Sequence, residues 1–154
     1  MSEIIECWPD IFYVASQALN KQTDSMAPKI EAINSAFKSL NLGIEAWSKW
    51  HPLRSSNGAY EIRLGYGRAA KWGLLIGRRV PPPKDNPQPE DFESEEWAFM
   101  EAPRMTRLEG IFYIEELMQS LVNACEIAVK EFESANEFLD EVINKVMLLK
   151  GATK

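Results

Sequence analysis

YEIRLGYGRAAKWGLLIGRR, residues 60–79, decides the fold. Ile62, Leu64 and Tyr66 alternate with small or charged neighbours, and Trp72, Leu74 and Ile76 alternate with Gly73, Leu75 and Gly77; period-2 alternation marks a half-buried strand. The two runs read as strands over residues 59–67 and 72–80, joined as a hairpin whose turn around residues 68–71 is of no standard type. Aligning Tyr66 with Trp72, Leu64 with Leu74 and Ile62 with Ile76 gathers the large apolar side chains on one face. The other face then carries Arg63, Gly65, Gly73, Leu75, Gly77 and Arg79. Its glycines leave bare backbone that a helix of the same chain, a ligand or a partner can approach closely.

On the N-terminal side, Ile44 to Trp50 is rich in β-branched and aromatic residues and reads as another strand, followed by an Asn57-Gly58 turn signal. Two helices precede it. Pro9 opens the first, over about residues 9–20, in which Ile11, Phe12, Ala15 and Leu19 recur at helical spacing. The polar stretch NKQTDS ends it, and Thr23, Asp24 and Ser25 offer caps for a second helix in which Ile30, Ile33, Phe37 and Leu40 form one face and Gly43 the stop. On the C-terminal side, PPPKDNPQPEDFESEE holds five of the nine prolines and reads as a surface loop over residues 81–96. A short fourth strand is expected at residues 97–100.

The last third carries the most regular pattern. Ile111, Ile114, Met118, Leu121, Cys125, Ala128, Phe132, Ala135, Leu139, Val142, Val146 and Leu149 follow at alternating spacings of three and four, with no Gly or Pro before Gly151, which is expected as the terminal cap. A helix over residues 107–150 would be roughly 66 Å long at ~1.5 Å per residue. A compact domain of this size is only about 40 Å across. The helix must therefore fold back, or bury its overhang against another chain. Leu117, Val122, Val129, Phe138, Ile143 and Met147 widen the stripe beyond a two-stranded seam, so more than one helix is needed to cover it. The expectation is a homodimer, with Phe132, Ala135, Leu139, Val142 and Val146 in its interface.

The chain has 154 residues and a formal net charge of -6, with 45% hydrophobic content, which suits one globular domain rather than a disordered chain. Glu3, Glu6 and Asp10 stand where a secretory signal needs cations, and no apolar run reaches the ~18 residues of a membrane span; a soluble, cytoplasmic protein is expected. Cys7 and Cys125 are too isolated for a disulfide framework or a zinc site and read as reduced, buried side chains. His51 is the only histidine and has neither a nucleophile nor a second metal ligand near it in sequence, so it reads as a turn residue. GYGR lacks the lysine of a phosphate loop and is followed by a strand rather than a helix. Glu95 with Glu96 and Glu115 with Glu116 read as solvated charge. No catalytic residue, metal site or cofactor is called for.

Charge segregation supplies the functional expectation. Arg54, Arg63, Arg68, Lys71, Arg78, Arg79 and Lys84 lie within residues 54–84 beside one carboxylate, Glu61, whereas residues 85–101 hold seven carboxylates and no cation. Either the acidic segment neutralises the hairpin, or Arg63, Arg68, Lys71, Trp72, Arg78 and Arg79 meet an outside partner, with the acidic segment as a competing gate. The sequence therefore predicts an α+β fold: a helical pair over residues 9–42, an antiparallel three- to four-stranded β-meander over residues 44–80, the acidic loop, and a long C-terminal helix lying on the sheet and in a dimer interface. The function expected is a small interaction protein, homodimeric through its C-terminal helix, that binds a macromolecular partner through the hairpin, with an acidic protein surface as one candidate. The alternatives are a nucleic-acid binder that uses the same hairpin, with Trp72 or Tyr66 stacking on bases, and, third, an enzyme with a small-molecule pocket between sheet and helix.

Overall fold

The computed structural model describes residues 8–85 and 94–152. Cys7 and the central prolines of the acidic loop lie outside them. The architecture is α+β: an open antiparallel sheet with its helices on one face.

Where two N-terminal helices were expected, one continuous helix, α1 (Trp8–Ser39), runs for 32 residues. The residues read as a break cap nothing. Thr23 Oγ1 donates to the Leu19 carbonyl at 2.8 Å and Ser25 Oγ to the Gln22 carbonyl at 2.8 Å, so each side chain bonds back within the helix. Pro28 sits inside the helix, where its missing N–H removes one bond without ending the element. The stop comes from Asn41 in the left-handed region, φ 49°, followed by Gly43 at φ 59°.

The expected strand over Ile44 to Trp50 is divided into β1 (Ala46–Trp47) and β2 (His51–Pro52), both paired with the same edge of β3 (Glu61–Arg68). Buried Ser48 fills the gap: its N–H donates to the Leu64 carbonyl at 2.7 Å and its Oγ accepts the Leu64 N–H at 3.0 Å. The interruption separates Trp47 and Trp50. Asn57 and Gly58 form the expected turn, with φ 50° and 82°.

β3 pairs with β4 (Trp72–Arg79) in a register displaced by two residues from the expected one: Tyr66 faces Leu74, Leu64 faces Ile76, and Trp72 faces Arg68. Each strand is one residue shorter than expected, and the tip closes over residues 69–71. Because a strand's side chains alternate with period 2, an even shift leaves every residue on its expected face, and Tyr66 still meets Trp72 diagonally at 5.7 Å between ring centroids. β5 (Ser94–Ala98) pairs with β4 and starts earlier than expected, taking the end of the acidic segment into the sheet.

The helical path after the sheet begins with α2 (Arg104–Gly110), tightens into a 3-10 turn over Ile111–Tyr113, and continues as α3 (Ile114–Ala152) without a break. Gly151 continues α3 rather than capping it, and its φ is not positive. The core lies between the helices and the large apolar face of the hairpin: Ile30 of α1 and Leu117 and Leu121 of α3 pack on Leu64, Tyr66, Leu74, Ile76 and Phe99. Gly110 lets α2 approach the sheet, since a Cβ there would stand 3.1 Å from Ile76 Cδ1.

At one end of the sheet Arg104 Nη2 donates to Asn20 Oδ1 at 2.6 Å, and at the other Phe37 and Leu40 face Met118, Leu121 and Cys125. The two long helices thus advance in the same direction, and their unsupported parts leave the sheet at opposite ends. Trp8, Ile11, Phe12 and Val14 are exposed on the N-terminal arm. On α3 only Leu117 and Leu121 are buried.

Candidate interaction site

The glycine stripe carries the protein's own tryptophans. Trp47 stands on Gly65 so closely that a Cβ there would lie 2.3 Å from its Cε3, and Trp50 lies beside Gly77, whose Cβ would be 3.4 Å from its Cη2. Trp47 Nε1 donates to Glu45 Oε1 at 2.7 Å. The Arg63 guanidinium lies 4.0 Å from the Trp47 ring centre and 4.5 Å from that of Trp50, and Arg79 stacks on Trp50 at 4.3 Å. Such stacks contribute about 0.5–1 kcal/mol each at partly exposed positions. The two indoles and two guanidiniums cover backbone that glycine alone leaves accessible.

Each of these arginines also meets a carboxylate. Arg63 reaches Glu96 at 3.3 Å and Arg79 Nε donates to Glu61 Oε2 at 2.8 Å. On the opposite face Arg78 donates through Nε and Nη2 to Glu95 Oε2, at 3.1 and 2.6 Å, while stacking on Tyr60 and Trp97. Glu95 and Glu96, expected as solvated charge, are exposed, and β5 in addition places Glu95 directly opposite Arg78, and Glu96 opposite Gly77, one strand away from Arg63. Burial pulls Arg63 below its ordinary pKa despite the Glu96 hydrogen bond and charge, and nearby Arg79 pulls the same way.

Of the six hairpin residues singled out from sequence, Arg63, Arg78 and Arg79 are therefore engaged within the chain. Trp72 is half-buried against Tyr66. Arg68 and Lys71 are exposed at the tip, flanking Ala69 and Ala70, and neither side chain has a hydrogen-bond or ion-pair partner among the described residues.

His51 is not a plain turn residue. Its ring stacks on Tyr113 at 3.9 Å, nearly parallel, and its Nε2 lies 2.5 Å from Glu116 Oε2. Glu116 also accepts the Lys49 N–H at 3.1 Å. Burial alone would raise the Glu116 pKa, but the Lys49 amide, the His51 hydrogen bond and the charges of His51 and Lys49 together hold it below the usual carboxylate value. Seven residues earlier, Glu109 accepts the Arg54 and Ser55 N–H groups at 2.7 and 2.9 Å and is likewise depressed, those bonds outweighing its desolvation. The two glutamates tie residues 49–55 to the helices. Their i, i+7 spacing, which places them on one helix face, was the signal in the sequence. A histidine–carboxylate pair can move a proton; among the described residues no Ser, Thr or Cys side chain is hydrogen-bonded to this one, and its bonds join the segment at Lys49 and His51 to the helix.

The second surface is apolar. Beyond Leu121 the α3 seam is uncovered: Phe132 is 70% exposed, Leu139 52% and Val146 51%, Ala135 is exposed and Val142 half-buried. Phe138 and Ile143 flank it, also exposed. At its root, Phe37, Leu40 and Leu42 form with Leu121, Cys125 and Val129 a groove of about 360 Å³, which continues past Ile44 to Phe132 and Asn136. Cys125 is a free, half-buried thiol.

Among the described residues, no helix is long and apolar enough to cross a membrane, and no group of three or more His, Cys, Asp or Glu side chains could hold a metal ion. The chain matches no protein-family model, no curated protein and no solved structure.

Proposed function

We propose that the protein is a homodimeric interaction protein: the C-terminal helix joins two copies, and each copy offers the tip of its hairpin to an acidic macromolecular partner. The observation that carries this reading is the uncovered seam on α3, with Phe132, Leu139 and Val146 each at least half exposed. A contiguous apolar stripe of that length marks an interaction surface, and closed two-fold pairing is the commonest way to cover one. Arg68 and Lys71 support the partner half of the reading, as cations outside the ion pairs on the sheet; a rim charge of this kind acts chiefly on association rate and specificity. No catalytic step and no cofactor is assigned.

The test is solution mass by light scattering. Two chains are expected for the wild type, and one for Val142→Glu, with helical circular dichroism retained; a buried unpaired carboxylate costs about 3 kcal/mol or more, over a hundredfold in dimer affinity. A single-chain mass for the wild type overturns the dimer. For the partner half, Arg68→Glu combined with Lys71→Glu should release a copurifying acidic protein without changing the mass of the free protein, and retention of that protein overturns the assignment of the tip.

A further inference from the structure

We infer that the second copy on the C-terminal helix runs antiparallel, with the two-fold axis crossing the pair at residue 137. This rests on the homodimer reading above and adds direction and register to it. The spacing along α3 assigns Cys125, Phe132, Leu139 and Val146 to one seam position of a heptad, and Ala128, Ala135, Val142 and Leu149 to the other.

Antiparallel pairing sets one kind against the other. Cys125 meets Leu149 of the second copy, Ala128 meets Val146, Phe132 meets Val142 and Ala135 meets Leu139, and the two-fold repeats each layer. Every layer then joins a smaller side chain to a larger one. Parallel pairing sets like against like, so that the thin layers of Ala128 and Ala135 alternate with one of two phenyl rings, a poorer fit to uniform packing density.

The flanking residues give the same answer independently. In the antiparallel register Glu131 faces Lys145 of the second copy, twice by symmetry, while Val129 faces Ile143 and the two Phe138 rings meet beside the axis. In parallel register Lys145 faces Lys150 and Glu131 faces Asn136, a repulsion and no ion pair. Glu137, at the midpoint, points away from the seam. The groove at the root of the helix is the third observation. Its walls, Phe37, Leu40 and Leu42, stand beside Cys125 and Val129, where this register delivers Val146 and Leu149 of the second copy. The overlap from residue 125 to 149 is about 36 Å long, and it holds the two sheets at opposite ends of the rod.

The test uses the full chain with Cys7→Ser and Cys125→Ala, spin-labelled through one added cysteine on the outer face, either Glu137→Cys or Asn123→Cys, and read by pulsed dipolar spectroscopy. In the antiparallel dimer the labels at 137 are separated only across the pair, whereas those at 123 are displaced along it by about 42 Å, at ~3 Å for each residue from the axis. Equal short separations at both sites mean a parallel pair and overturn the inference while leaving the dimer intact. A separation at 123 no longer than that at 137, with the two unequal, overturns the register. No dipolar coupling, with a single-chain mass, removes the dimer itself. Glu131→Lys should weaken association on the order of tenfold, with Glu131→Lys/Lys145→Glu restoring it; absence of rescue counts against the register.

Discussion

Replacing Gly65 with alanine tests whether the glycine stripe is occupied from within. The new Cβ would lie 2.3 Å from Trp47 Cε3 and 2.6 Å from both Cδ2 and Cζ3, against about 3.5–4.0 Å for an unstrained carbon contact. The indole must therefore rise by more than about 1 Å. That movement disturbs the Arg63 stack at 4.0 Å and the Nε1–Glu45 bond at 2.7 Å. Overpacking of this kind costs about 1–3 kcal/mol, and the lost stack about 0.5–1 kcal/mol. Removing a glycine from a strand interior returns about 0.5–1 kcal/mol. The net expectation is a loss of about 2 kcal/mol, or roughly 4–8 °C in Tm for a chain of this size. The control is Gly73→Ala, whose Cβ would meet the Asn34 amide at 3.4 Å, an ordinary contact; with no ring to displace, it should match the wild type or gain up to about 1 kcal/mol. Urea denaturation followed by circular dichroism measures both variants. In a Trp47→Ala background, Gly65→Ala should lose most of its effect, because the double-mutant cycle removes the clashing ring. Equal stability of Gly65→Ala and Gly73→Ala, or an undiminished cost in the Trp47→Ala background, would refute the argument.

Glu109 has a pKa held below the ordinary carboxylate value in the folded chain, so the stability it adds is complete above that ordinary value and is lost as pH falls through the depressed one. The gap in urea midpoint between wild type and Glu109→Gln should accordingly be constant near neutrality and narrow in acid; a gap that widens in acid contradicts the assignment. Leu117→Ala, which empties a fully buried site under the sheet, should cost about 2–5 kcal/mol in chemical denaturation, and a cost below about 1 kcal/mol would show that α3 does not anchor there. Arg68→Glu and Lys71→Glu should leave the unfolding midpoint within about 0.5 kcal/mol of wild type, as exposed positions do, whereas Arg78→Glu removes two bonds to Glu95 and two ring contacts and should lower the midpoint measurably. Equal effects at the three positions would mean that Arg78 is no more engaged than the tip.

Local periodicity determined much of this protein. Alternation assigned Ile62, Leu64, Tyr66, Leu74 and Ile76 to the core face, and the assignment survived a two-residue change of register, because only an odd shift exchanges the faces. The three-four spacing after Ile111 likewise determined a rod with an apolar seam, since helical geometry depends on nothing beyond the neighbouring turns. What tertiary structure alone decided was which residues meet across long separations. Thr23 and Ser25 have the chemistry of caps, yet they bond back inside α1, because α1 gains more by running on across the sheet than by ending. Glycine at 65 and 77 announced a close approach but not its occupant, since the occupant depends on how the edge strand pairs: Trp47 stands opposite Gly65 in β1, and Trp50 reaches Gly77 beyond the interruption at Ser48. The cations of the hairpin looked available for the same reason: Glu95 and Glu96 neutralise Arg78 and Arg63 through strand pairing, and pairing depends on how the chain returns in space, which no local pattern records.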